Sequence, residues 1–228
     1  MDLGLHGRTV LVCGGSRGIG YAAADQFAAE GAHLAICARD PHALTSEAER
    51  LSRHGGRVVT MAADLSERSG IAAAITAVTD AYGGVDVLVT NTGGPPTGSA
   101  LAPDWEAWQR ASDLLLRSAV ELSRAFVPRM QERRWGRVIG ITSMAVKQPV
   151  ASLVLSNALR AAVTGFYRTL ANEVSADGLT VNTVLPGYVE TERLQSLAAA
   201  TTARTGAASS AVYDEWRAAA PAHRLGTA

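Results

Sequence analysis

The stretch TVLVCGGSRGIGYAAADQFAAEGA, Thr9–Ala32, decides the fold. An apolar, β-branched run from Thr9 to Cys13 leads into Gly14; Ser16 and Arg17 sit in the turn, and Gly18-Ile19-Gly20 opens an Ala-rich segment running to Glu30. Glycines there let the backbone turn tightly and approach a pyrophosphate. The N-terminus of the following helix supplies unpaired N–H donors and the positive end of its dipole. A Gly-rich turn alone is weak evidence, because glycine serves any tight turn. Placed between a strand and a helix at the head of a βαβ series, it predicts a phosphate seat. No Gly-Lys-Ser/Thr follows, which excludes a Walker loop.

Working outward, short apolar runs alternate with longer amphipathic ones. Strands are expected at Thr9–Cys13, Leu34–Ala38, Val58–Ala62, Val85–Val89, Arg137–Thr142 and Thr180–Leu185. Helices are expected at Gly18–Glu30, Pro41–His54, Glu67–Tyr82, Pro103–Arg134 and Leu153–Ala176. This alternation predicts an α/β fold, a Rossmann-like doubly wound parallel sheet of six strands with helices on both faces. Strands as uniformly apolar as Val85–Val89 suit a sheet covered on both sides. Residues 1–228 read as one domain. The Ala- and Thr-rich stretch from 194 to 220 reads as one or two short helices, mobile, on the substrate side.

Composition narrows the partners. The 228 residues hold 21 basic and 21 acidic side chains, so no basic excess marks a nucleic-acid or membrane-surface binder. No apolar run approaches a membrane span, and the N-terminus lacks the pattern of a signal peptide, so the expected location is cytoplasmic. Cys13 and Cys37 read as small buried residues, a bond between neighbouring strands being the alternative. No metal site is expected.

The spacing Gly14-x3-Gly18-x-Gly20 resembles that of the short-chain dehydrogenase/reductase family in its single-domain form. The resemblance extends over nearly the whole chain. Asp64, followed by Leu65, matches the family's acid beside the adenine ring, and Asn91-Thr92-Gly93 resembles its Asn-Ala-Gly element. Asn182 and Pro186-Gly187, then Thr191, resemble the segment lining the nicotinamide. These matches imply a nicotinamide cofactor held by Gly14, Ser16, Arg17, Gly18, Ile19, Gly20, Arg39, Asp64, Leu65, Asn91, Gly93, Arg160, Pro186, Gly187 and Thr191. An acid at the end of the second strand would favour a free ribose 2′-OH. Here Ala38 stands at that position, followed by Arg39, with Arg17 on the same side. Two guanidiniums and no carboxylate there favour NADP(H) over NAD(H), although Asp40 lies close by.

The same resemblance breaks at the catalytic end. Family members carry a Ser, then a Tyr, then a Lys four residues later. The Tyr protonates the carbonyl oxygen, and the Lys holds the ribose and lowers the Tyr pKa. Here Ser143 keeps the Ser position, Ser156 stands for the Tyr and Arg160 for the Lys, and the family's Asn falls near Leu115. A serine hydroxyl is a far weaker acid than a phenol, and arginine does not shuttle protons. Substitute proton sources are Lys147, the only lysine, Tyr188, or a water chain.

Conjugate reduction of an enone would tolerate this loss, with Ser143 and Ser156 as an oxyanion hole. The implied activity is NADPH-dependent reduction of a small carbonyl compound or conjugated enone by a homodimer or homotetramer. The alternatives are a cofactor-binding regulatory or structural partner without redox activity, and a non-redox lyase, isomerase or cyclase. The Pro- and Gly-rich loop Thr92–Gly98 reads either as a rigid wall for nicotinamide and substrate or as a proline-restricted turn. Trp105 and Trp108 are expected to pack against neighbours. The family usually continues past His223–Thr227 with a helix and a last strand, so Val181–Leu185 is expected at an edge of the sheet, covered by a tail or a partner subunit.

Overall fold

A computed structural model describes residues 2–228. Six strands form one parallel sheet: β1 (Thr9–Cys13), β2 (His33–Ala38), β3 (Val58–Ala62), β4 (Val87–Thr90), β5 (Gly136–Ile141) and β6 (Leu179–Val184). Their spatial order is β3-β2-β1-β4-β5-β6, so the chain reverses direction across the sheet between β1 and β4. Ligands bind open α/β sheets at such a switch point, outside the carboxyl ends of the strands.

The apolar strands are buried on both faces. Leu11 and Cys13 join Leu88, Phe126, Val138 and Tyr167 in one core, while Val10 and Val12 join Leu34, Ile36, Leu44 and Val89 in the other. The period-2 alternation of a strand sends consecutive apolar residues to opposite faces, and both faces carry helices.

The helices are α1 (Gly18–Ala29), α2 (Pro41–Ser52), α3 (Arg68–Tyr82), α4 (Trp105–Ser112), α5 (Ser118–Glu132), α6 (Val154–Val174), α7 (Glu192–Thr205) and α8 (Ser209–Ala219). Local chemistry sets their ends. Asp40 accepts from the His42 and Ala43 N–H groups at the start of α2, and Pro41 occupies its first position. Gly83, with a φ of 72°, ends α3 in the left-handed region.

Two expectations need correction. The helix expected over Pro103–Arg134 is interrupted by a π-turn at Asp113–Arg117 between α4 and α5. Trp105 does not pack against neighbours: it is 78% exposed, whereas Trp108 packs on a small cluster of Ala111, Leu115, Leu155 and Leu159. The segment 194–220 is helical, as α7 and α8. β6 pairs with β5 alone, leaving Thr180, Asn182 and Val184 exposed at the sheet's edge. No helix among the described residues is long and apolar enough to cross a membrane.

Candidate active site

One cleft of about 520 Å³ opens at the carboxyl ends of the strands. It gathers Gly14, Ser16, Arg17, Gly18, Ile19, Arg39, Asp64, Leu65, Asn91, Gly93, Ser143, Ser156, Arg160, Pro186, Gly187 and Thr191, which lie far apart in the sequence. Gly20 alone of the expected set stands behind the wall. Its role is packing, because a Cβ there would lie 2.1 Å from the Gly14 carbonyl oxygen. Asn182, on β6, faces solvent and does not line the cleft.

At one end lies the Gly-rich turn. Gly14 and Gly18 have φ of 60° and 54°, a region that glycine enters without penalty. No side chain caps α1 and no acid occupies its first turn, so its opening N–H groups face the cleft unspent. Asn91 Nδ2 donates to the Gly14 carbonyl at 3.5 Å and braces the turn against the end of β4. These features fit the diphosphate of a dinucleotide.

Beyond the turn stand Asp64 and Arg39. Burial pushes the Asp64 carboxyl up. The Ser66 N–H and hydroxyl, donating to Oδ1 at 2.9 and 2.7 Å, together with the nearby Arg39 charge, outweigh it and bring the carboxyl below its ordinary range. The Asp40 carboxylate is spent on the first turn of α2, at 2.9 and 3.2 Å. Arg17 pairs with Glu192 of α7 across the cleft mouth.

At the other end, β5 runs into Thr142 and Ser143, and α6 presents Ser156 and Arg160 one turn apart. Ser143 Oγ accepts from the Ala145 N–H at 3.1 Å. The Arg160 Nε donates to Ser156 Oγ at 3.2 Å, and its Nη1 donates to the Ile141 and Thr142 carbonyls at 2.9 and 3.1 Å. Both serine oxygens therefore act as acceptors while each keeps a proton to donate. Burial, and then the charge of Arg193, lowers the Arg160 pKa to about 10.

Neither substitute side chain reaches this end. Lys147 is exposed outside the cleft, and Tyr188 stacks on Trp216 with ring centroids 5.2 Å apart. None of the five tyrosines lines the cleft among the described residues, and Tyr167 is buried in the core with its hydroxyl 2.6 Å from Thr90 Oγ1. The residue expected near the family's Asn position does not line the cleft. Leu114 faces the cleft from the π-turn, while Leu115 is buried in the cluster behind it. Cys13 and Cys37 are register partners across β1 and β2, and both are free buried thiols.

Two charged side chains that no sequence motif marks also line the cleft. Glu192 and Arg193, in the first turn of α7, both line the cleft, and Arg193 Nη2 donates to the Pro95 carbonyl at 3.0 Å. A signal existed in the charge pattern. A cation in the first turn of a helix opposes the dipole, so an arginine placed there calls for another reason.

Comparison with known proteins bears on this arrangement. The family model for short chain dehydrogenase matches residues 8–202. The 3-oxoacyl-(acyl-carrier-protein) reductase of Vibrio cholerae is 34% identical over 195 residues, covering 86% of this chain and 79% of that protein. The 2,3-dihydroxy-2,3-dihydro-p-cumate dehydrogenase of Pseudomonas putida is 33% identical over 191 residues, covering 83% and 74%. Among solved structures, the L-sorbose reductase of Gluconobacter frateurii complexed with NADPH and L-sorbose superposes with a TM-score of 0.92 at 33% identity, covering 100% of this chain and 87% of that one. An actinorhodin polyketide ketoreductase variant with NADPH gives a TM-score of 0.91 at 29% identity, covering 97% and 85%. With the family model spanning most of the sequence and the sheet order and cleft in place, the chain belongs to the short-chain dehydrogenase family.

Proposed function

We propose that this short-chain dehydrogenase is an NADPH-dependent reductase of a small carbonyl compound or conjugated enone, with Ser143, Ser156 and Arg160 at its reacting end. The observation that carries the reading is one continuous cleft. It has an uncapped helix N-terminus at one end and two hydroxyl donors backed by a guanidinium at the other. The preference for NADPH rests on Arg39 forming no ion pair among the described residues, although its charge reaches Asp64, while Asp40 is committed to α2. The NADPH held by the sorbose reductase and the ketoreductase supports it.

When bound, NADPH supplies a hydride. This chain's own residues orient the acceptor and stabilise the charge that develops on its oxygen. Ser156 donates toward that oxygen, and the Arg160 N–H on its Oγ strengthens the hydroxyl as a donor. Ser143, fixed by the Ala145 N–H, donates from the strand side. A ketone would need a full proton at that oxygen, and among the described residues no phenol or imidazole lines the cleft to give it. An enone spreads the charge into an enolate that hydroxyl donors can hold, and solvent can then protonate carbon. The same missing phenol favours a second reading, a partner that binds NADPH without turning it over.

Loss of NADPH absorbance against a panel of ketones, quinones and conjugated enones separates the two readings. Turnover of enones supports conjugate reduction; binding without turnover anywhere supports the partner. Restoring the family's pair, Ser156→Tyr with Arg160→Lys, is expected to raise ketone reduction by about 10²-fold, within the usual range for a general acid. No gain would show that more than the acid differs. The reading treats residues 1–228 as one unit, cytoplasmic, acting as a homodimer or homotetramer, which light scattering on the eluted protein checks.

A further inference from the structure

Hydride transfer to a neutral enone gives no reason for a second cation at the reacting end of the cleft. Arg193 nevertheless lines that end with Arg160, close enough that its charge helps to depress the Arg160 pKa. Neither guanidinium forms an ion pair among the described residues. The acids of the cleft are all committed elsewhere: Asp40 caps α2, Asp64 accepts from Ser66, and Glu192 pairs with Arg17. Burial weakens the charged form of both arginines, so leaving them unpaired costs free energy unless an anion arrives.

The donors that remain point to what would arrive. Arg160 spends Nε and Nη1 on Ser156, Ile141 and Thr142, which leaves Nη2. Arg193 spends Nη2 on the Pro95 carbonyl, which leaves Nε and Nη1. Gly94 makes room for it, since a Cβ there would lie 2.4 Å from Nη2. Arg193 is thus held by the loop after β4, and among the described residues no hydrogen bond ties it to the Gly-rich turn where a diphosphate would lie.

We propose that Arg193 and Arg160 together bind a carboxylate of the substrate, so that the acceptor is an unsaturated oxo acid whose conjugated carbonyl oxygen meets Ser143 and Ser156. This inference rests on the reductase reading and narrows its substrate class. Two guanidiniums with free donors suit a carboxylate, which accepts paired charge-assisted bonds. The other source of an anion is the cofactor's own diphosphate, and the experiment separates the two.

The probes are the conjugated oxo acids 2-oxopent-3-enoate and 4-oxopent-2-enoate, each beside its methyl ester. Binding to the NADP⁺-loaded protein is measured by calorimetry, and turnover is measured with NADPH. At least one acid is expected to bind about tenfold or more tightly than its ester, the scale of a charge-assisted pair. Arg193→Gln, and independently Gly94→Ala, should bring that ratio close to one while NADPH affinity stays within about twofold. Equal binding of every acid and its ester overturns the proposal. So does an Arg193→Gln variant that keeps the ratio but loses NADPH, which would assign the guanidinium to the diphosphate. Failure of the unmodified protein to bind NADPH would instead sink the reductase reading itself.

Discussion

Ser156 and Arg160 stand four apart on α6, so the helix stacks their side chains on one face and lets Nε reach Oγ at 3.2 Å. The arginine is also a brace, because Nη1 ties down the carbonyls of Ile141, the last residue of β5, and of Thr142 just beyond it. Lysine at 160 would keep the charge but lose the fork, so Arg160→Lys is expected to cost about 1–3 kcal/mol in urea unfolding. Ser156→Ala should lower kcat by about 10²-fold with the NADPH dissociation constant unchanged, as for loss of one oxyanion donor. An equal loss in NADPH affinity would place Ser156 on the cofactor instead. Asp64 supplies a pH test. Its folded carboxyl lies below its ordinary value of 3.8, so its contribution to stability is present above that value and is lost as pH falls through the folded one. The stability gap between the wild type and Asp64→Asn should be fully present above the ordinary value of 3.8 and shrink as pH falls below it. Residue positions were legible at most of the motif-fixed places, so sixteen expected residues line one cleft while Gly20 and Asn182 do not. The charge pattern sets Arg193 apart but not its contact, because Gly94 and Pro95 lie some hundred residues away and no local pattern records it.

The elements show which sequence signals carry weight. β1 and α1 lie where the Gly-rich stretch put them, because three glycines, an apolar run and an Ala-rich periodicity all specify the same strand–turn–helix. Gly20 is the tightest point of that unit. Gly20→Ala should destabilise the protein by about 2 kcal/mol or more and abolish nucleotide binding, since the new methyl meets the Gly14 carbonyl. Thermal melts with and without NADPH check both effects, and a variant that melts and binds normally would show that the turn can shift. The π-turn at Asp113–Arg117 escaped the sequence reading. An apolar periodicity near 3.6 does not reveal one extra residue, yet that residue decides that Leu114 and not Leu115 faces the cleft. Trp105 departs from expectation for a related reason: the spacing Trp105–Trp108 suits one helix face, but α4 begins at Trp105, and its first residue projects into solvent.

Across the whole molecule, the order β3-β2-β1-β4-β5-β6 follows from right-handed βαβ crossovers, and it brings the Gly-rich turn, the end of β5 and the start of α7 to one edge. That much of the fold was legible because each βαβ step is specified locally and the crossover rule assembles the steps. The charge distribution over the assembled cleft was not. Its acids, Asp40, Asp64 and Glu192, are each tied down within the protein, while Arg39, Arg160 and Arg193 keep donors free. The most direct test of this account is a calorimetric titration of the protein with NADPH and with NADH. NADPH should bind at least about tenfold more tightly than NADH, with Arg39→Asp erasing the difference, as expected for charge-assisted contacts to a 2′-phosphate. Absence of binding by either nucleotide at millimolar concentration would contradict it.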